Sequence, residues 1–137
     1  MFTGVTLFFS ACDTLKKFPT NTSGGIFSLN GNWKLTTTTD NNAQMGTEVT
    51  VAPAIASAFV KSLENNSYCY RAGDEAWKTV STKINGGFTI KLLTSACSGN
   101  QVYKDGEITV ITNDLIRINS KNNIEQPLVQ DWARVNK

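Results

Sequence analysis

From Ile26 onward, apolar residues alternate with polar ones in short runs separated by turn residues. In the run Asn32 to Thr38, Trp33, Leu35 and Thr37 fall on one face, and in Thr47 to Val51, Val49 and Val51 do. A period of two places successive side chains on opposite faces of an extended backbone, so each run predicts a strand with one buried face. Further runs of this kind are Ser67 to Arg71, Trp77 to Ile84, Phe88 to Thr94, Glu107 to Thr112, Leu115 to Ser120 and Asp131 to Val135. The total is about eight strands.

The residues between the runs suit tight connections. Asn85-Gly86-Gly87 separates two alternating runs, Lys104-Asp105-Gly106 opens another, and Asn113-Asp114 joins Glu107–Thr112 to Leu115–Ser120 with residues that tolerate positive φ. Consecutive hairpins imply an up-and-down meander, and a meander of eight strands removes its two edges most completely by closing into a barrel. One stretch departs from the alternation. Pro53 to Glu64 is alanine-rich, begins with proline and repeats Ile55, Phe59 and Leu63 every four residues, which predicts one short helix of about three turns capping the barrel or packing on its wall. A strand continuing from Val51 into a loop is the competing reading of the same residues. The expected fold class is thus all-β, a single antiparallel up-and-down barrel with one short helix.

The length of 137 residues suits one domain with its own core. Thirteen Lys plus Arg stand against eleven Asp plus Glu, a net charge of +2 with the signs interspersed, too weak a field to argue for nucleic acid as a partner. Histidine is absent, which removes the commonest general base and metal ligand at neutral pH.

The N-terminus changes the picture more than the charge does. The apolar run Val5-Thr6-Leu7-Phe8-Phe9 is too short to span a bilayer as a helix and ends in Ser10-Ala11-Cys12, followed by polar Asp13-Thr14-Leu15-Lys16-Lys17. An apolar run ending in small residues is a secretory signal, and small residues directly before cysteine resemble the bacterial lipobox. The resemblance implies cleavage before Cys12 and a thioether from its sulfur to diacylglycerol, with acyl chains anchoring the protein to a membrane of the cell envelope. No Lys or Arg precedes the apolar run, so residues 1–11 read as a truncated signal peptide. Residues 12–25, with few large apolar side chains, read as the lipidated N-terminus and a flexible tether, and residues 26–137 as the barrel. An ordinary core strand ending at a buried thiol is the alternative reading of Val5 to Cys12. Asn21-Thr22-Ser23 and Asn65-Asn66-Ser67 fit the glycosylation pattern and, in a bacterial chain, are chance matches.

Two motifs carry a more specific resemblance. Leu29-Asn30-Gly31-Asn32-Trp33-Lys34-Leu35 resembles the Gly-x-Trp opening strand of lipocalins and of bacterial lipocalin-like lipoproteins, and Asp131-Trp132-Ala133-Arg134-Val135 resembles their last strand. The resemblance implies that Gly31, Trp33 and Arg134 form a structural motif at the narrow end, the basic side chain crossing the indole. It also implies that the opposite end admits a small apolar ligand.

With Cys12 lipidated, Cys69 and Cys97 remain as a pair, and an exported domain favours their disulfide over two free thiols. Closing a loop of about 29 residues stabilises by roughly 3–4 kcal/mol through chain entropy. No metal site is expected from two distant cysteines without histidine, and no cofactor is implied. Asp74-Glu75, Asp105, Glu107 and Asp114 lie at or near turns, where acids are ordinarily solvated, so no catalytic residue is assigned and no enzyme is expected. Phe27, Tyr68, Tyr70, Trp77, Phe88, Tyr103 and Trp132 either line a cavity or make up the core. Two functions follow as expectations. One is a lipid-anchored envelope protein holding a small hydrophobic ligand in the barrel; the other is a protein-interaction module, such as a periplasmic protease inhibitor or a subunit of an envelope complex, and a barrel filled by its own side chains favours the second.

Overall fold

The computed structural model describes residues 27–135. They form eight antiparallel strands: β1 (Gly31–Thr38), β2 (Glu48–Ala52), β3 (Ser57–Ser62), β4 (Glu75–Thr82), β5 (Phe88–Ser95), β6 (Val102–Thr112), β7 (Leu115–Lys121) and β8 (Pro127–Val135). Each strand pairs with its sequence neighbours, and β1 pairs with β8, so the meander closes into a barrel without a free edge strand.

The segment expected to be a helix is not one. Pro53–Ile55 makes a single 3-10 turn, which Ala56 ends in a left-handed conformation at φ 56° with its N–H donated to the Pro53 carbonyl. From Ser57 the chain runs as β3, pairing with β2 from Ala52↔Ser57 to Glu48↔Ser62. The physical reason lies in two competing periodicities within one segment. Ala58 and Val60 alternate into the core, whereas Ile55 of the four-residue stripe is exposed and Phe59 and Leu63 are only half-buried. A helix here would have left the backbone of β2 unpaired on one side, and satisfying those groups outweighs a local helical preference.

The run Ser67 to Arg71 is also not a strand, although Tyr68 and Tyr70 both point into the core. Their backbone groups find partners outside any ladder. Tyr68 N–H donates to Gln44 Oε1 at 2.6 Å, the Tyr68 carbonyl accepts from Ala96 N–H at 2.8 Å, and the Asn66 amide group bonds both the N–H and the carbonyl of Tyr70. Cys69, between the two tyrosines, has φ 64°, a left-handed conformation far from the extended backbone of a regular strand. Lys104-Asp105-Gly106 lies inside β6 rather than at its start, because β6 begins at Val102 and pairs with β5 along its whole first half.

The interior is filled. Trp33, Trp77 and Trp132 are 0–1% exposed, and Trp77 and Trp132 meet edge to face with ring centroids 5.2 Å apart at 86°. Leu35, Leu92, Ile108, Ile116, Ile118 and Leu128 pack around them, all at 0–1% exposure. An eight-stranded barrel is just wide enough for side chains to fill, and three indoles with this aliphatic shell occupy that width. The indole N–H of Trp132 donates to Gln130 Oε1 at 3.0 Å, while that of Trp77 has no hydrogen-bond partner among the described residues. At the β4–β5 turn, Gly87 has φ +78° and a Cβ there would lie 2.5 Å from the Ile108 carbonyl oxygen, so only glycine fits.

Candidate functional site

Because the strands alternate direction, the β2–β3, β4–β5 and β6–β7 turns gather at one end with the start of β1 and the end of β8. The β1–β2, β3–β4, β5–β6 and β7–β8 connections gather at the other. Both ends are closed, by different chemistry.

At the first, the clamp end, Trp33 and Arg134 are direct cross-strand partners. The Arg134 guanidinium carbon sits 4.4 Å from the Trp33 ring centroid and 5.8 Å from that of Phe27. Its N–H groups donate to three backbone carbonyls: Nη1 to Asn30 at 2.7 Å, Nη2 to Ser28 at 2.7 Å, and Nη2 and Nε to Asn113 at 2.8 and 3.1 Å. Nε also lies 3.3 Å from Asp114 Oδ1. The planar five-donor fork joins β8, the segment ahead of β1 and the β6–β7 turn at one point, as a lysine could not. Gly31 has φ +115°, which turns the chain from this segment into β1. The Trp33 indole N–H donates to the Leu29 carbonyl at 2.8 Å, and Phe27 packs against Trp33 and Phe88 over the barrel end.

At the second, the disulfide end, Cys69 and Cys97 are bonded. The bridge ties the β3–β4 connection to the β5–β6 connection. Polar groups, neutral except for Asp40, join the other loops there. Gln44, 1% exposed, gives its Nε2 to Thr47 Oγ1 at 3.2 Å while its Oε1 takes the Tyr68 N–H, and Gln44 N–H donates to the Asn65 carbonyl at 2.6 Å. Tyr68 donates its hydroxyl to Asp40 Oδ2 at 2.5 Å, and Tyr70 donates to the Leu93 carbonyl. Thr94 Oγ1 reaches Asn123 Oδ1 in the β7–β8 turn at 2.8 Å. Burial raises the ionisation of Tyr68, Tyr70 and Tyr103 above the usual phenol range, with the Asp40 hydrogen bond and charge adding to the rise at Tyr68.

Between the ends, a groove of about 790 Å³ borders β4 to β7. Exposed residues dominate its lining: Thr89, Glu107 and Asn119 form one row across β5, β6 and β7, with Lys91, Asp105, Lys121 and Thr79 beside it. Lys91 is paired with Asp105, Lys104 with Glu125 and Lys83 with Glu107. The groove thus sets charges and hydroxyls among apolar atoms that make up the larger part of its lining. Ion pairs this exposed hold little stability and exchange readily for new partners.

Of the residues singled out from sequence, Gly31, Trp33 and Arg134 come together at the clamp end, and Cys69 and Cys97 at the other. Cys12 lies outside the described residues, as do the signal and tether segments. The turn acids have structural partners: Asp74 caps the Arg71 N–H, Glu75 accepts from the Ser57 hydroxyl, Asp105 and Glu107 pair with lysines, and Asp114 pairs with Arg134. Sequence reasoning missed Phe27 as an end plug, Gln44 as the hub of the disulfide end, and the Tyr68–Asp40 bond. Gln44 sits in Asp40-Asn41-Asn42-Ala43-Gln44-Met45-Gly46, a run that reads as a solvated turn until its neighbours are placed. Comparison with protein-family models, with curated proteins and with solved structures finds no match for the chain.

Proposed function

We propose that this chain is a lipid-anchored module of the bacterial cell envelope, built like the lipocalin-like lipoproteins its two motifs resemble, and that it binds a protein partner through the outside of a solid barrel. The observation that carries the reading is the interior: three indoles and their aliphatic shell fill the barrel, and hydrogen-bonded side chains close both ends. A ligand inside would have to displace Trp77 and Trp132 from each other and open one of the two closures. The groove on β4–β7 is a concave feature whose charges and hydroxyls a partner's charged and hydrogen-bonding side chains would match. The Cys69–Cys97 bond suits an oxidising compartment, and Ser10-Ala11-Cys12 supplies the address.

Titration with a fluorescent fatty-acid analogue tests the interior, and photo-crosslinking in cells from an amino acid placed at Thr89 or Asn119 tests the groove. The expected results are no saturable fatty-acid binding and a discrete protein adduct from the groove positions. Saturable one-to-one fatty-acid binding that quenches the core tryptophans would overturn the reading in favour of a ligand held in the barrel. Membrane release by Cys12→Ser tests the anchor separately.

A further inference from the structure

The exposed large apolar residues of the barrel sit at turn tips. Ile84, in the β4–β5 turn, is 103% exposed, and Ile55, in the β2–β3 turn, is 62% exposed. Turn tips facing water ordinarily carry Gly, Asn, Asp or Ser, and neither isoleucine has a local structural reason to be there. A single exposed isoleucine would need no explanation. These two, however, share the clamp end, on the turns that flank the neighbouring strands β3 and β4.

That end is also where the described chain begins. Phe27 and Ser28 are held against it by Trp33 and Arg134, so whatever precedes Phe27 leaves from the clamp end. Between Cys12 and Phe27 the chain can span at most about 50 Å fully extended, and it joins a lipidated Cys12 to the barrel at this end rather than at the disulfide end. The two turns that carry the isoleucines hold little charge: Pro53-Ala54-Ile55-Ala56 has none, and Lys83 to Gly87 has a single cation, while the carboxylate of the third turn at this end, Asp114, is paired with Arg134. The exposed isoleucine of the opposite end, Ile124 at 69%, sits in the β7–β8 turn beside Lys121 and Glu125 with Lys104 bonded to Glu125, a setting that holds it in water.

We infer that the clamp end rests on the lipid surface, with Ile55 and Ile84 inserted among the acyl chains just below the head groups, so that the disulfide end and the β4–β7 groove face the aqueous compartment. The inference depends on the anchor at Cys12. Two shallow apolar side chains bind a bilayer weakly alone, but a chain already tethered meets the surface at a high effective concentration, and weak insertion then suffices to set the orientation.

The experiment removes the dependence on processing in the host. The full chain, with Cys69 and Cys97 bridged, is coupled through the Cys12 thiol to maleimide-bearing lipid in vesicles of phosphatidylethanolamine and phosphatidylglycerol that contain brominated lipid. Ile55→Trp, Ile84→Trp and Ile124→Trp are compared in turn. The three native tryptophans are buried in the core and provide a constant background. The added fluorescence is expected to be quenched several-fold more strongly for Ile55→Trp and Ile84→Trp than for Ile124→Trp, with a blue shift in the first two only. Any other ordering, including equal quenching at all three sites or quenching at only one of the two clamp-end positions, overturns the orientation. Failure of lipidation in the host would appear as an unmodified Cys12 in the mass of the native protein and would leave this result unaffected.

Discussion

The two ends of the barrel solve the same problem with opposite means. At the clamp end one side chain does most of the joining: Arg134 bonds three carbonyls from two other segments and covers the Trp33 ring. At the disulfide end the work is spread over Gln44, Asn66, Tyr68, Tyr70 and Thr94, with a covalent bond across the loops. A concentrated joint depends on one fixed charge and one fork geometry. It fails as a unit when that residue is lost. A distributed joint loses little with each neutral hydrogen bond but responds to reduction and to alkali, since it contains the disulfide and the buried phenols.

The sharpest way to break the contrast is at Trp33. Its ring is 0% exposed and forms the floor on which Arg134 lies, so Trp33→Ala is expected to lower stability by about 3–5 kcal/mol through lost burial and the cavity left behind. Urea unfolding measures it, and a loss below about 1.5 kcal/mol would mean that the site collapses around the hole.

Next in size, replacing Cys69 and Cys97 with alanine together should cost roughly 3–4 kcal/mol from the freed unfolded chain. Reduction of the unaltered protein should reproduce that loss. Amide exchange should then quicken in the β3–β4 and β5–β6 connections while the clamp-end strands β1 and β8 keep their protection; a uniform rise across the barrel would show that the two ends are not independent.

Arg134→Ala is expected to cost about 2 kcal/mol, combining cation–π contact with the carbonyls left unpaired. Arg134→Lys should recover little, because an ammonium cannot reach three carbonyls at once. In the double variant with Trp33→Ala, the loss should fall short of the sum of the two singles by about 0.5–2 kcal/mol, and strict additivity in the cycle would mean that the stacked pair carries no coupling.

The smallest effect is Tyr68→Phe, about 1 kcal/mol for the hydroxyl bond to Asp40. The same phenols give the alkaline limit. In the folded state Tyr68 and Tyr70 resist ionisation above the unfolded value near 10, so the unfolded chain releases protons first and stability falls as pH rises past about 10. Tyrosinate absorbance should therefore appear together with unfolding. A free titration of Tyr68 and Tyr70 in the intact barrel would contradict their burial. At the acid side, Arg117 bonds both oxygens of Asp131 and holds its carboxyl below the usual range, a contribution present above about pH 4 and lost as pH falls further.

Much of the fold was legible because strand alternation is a local signal. Trp33 and Leu35, Ile90 and Leu92, and Ile116 and Ile118 announce their buried face two residues at a time, and Asn85-Gly86-Gly87 and Asn113-Asp114 mark hairpins whose chemistry is contained in the turn itself. The clamp pair was legible for a different reason: the strands carrying Gly31-x-Trp33 and Arg134 resemble the first and last strands of lipocalins, the resemblance implied their contact, and β1 pairs with β8. The groove was not legible. Its residues read one by one as solvated surface, and only the register of β5, β6 and β7 sets Thr89, Glu107 and Asn119 in a row.

Pro53 to Arg71 marks the boundary between what sequence and tertiary structure decided. Ala58 and Val60 at period two and Ile55, Phe59 and Leu63 at period four occupy the same residues, and the segment alone has no reason to prefer either. The backbone of β2 and β4, which needs partners on the side facing β3, settles it as a strand. Tyr68 and Tyr70 show the converse, an alternating pair whose backbone is satisfied locally by Asn66 and, from other connections of the barrel, by Gln44 and Ala96. Sequence by itself determined the buried face of most strands and that the chain is a run of hairpins, because alternation and turn chemistry are properties of a few adjacent residues. Tertiary structure decided which backbone ladder each segment joins and that the interior is solid, because unpaired peptide groups and the packing of three indoles depend on neighbours far away in the chain.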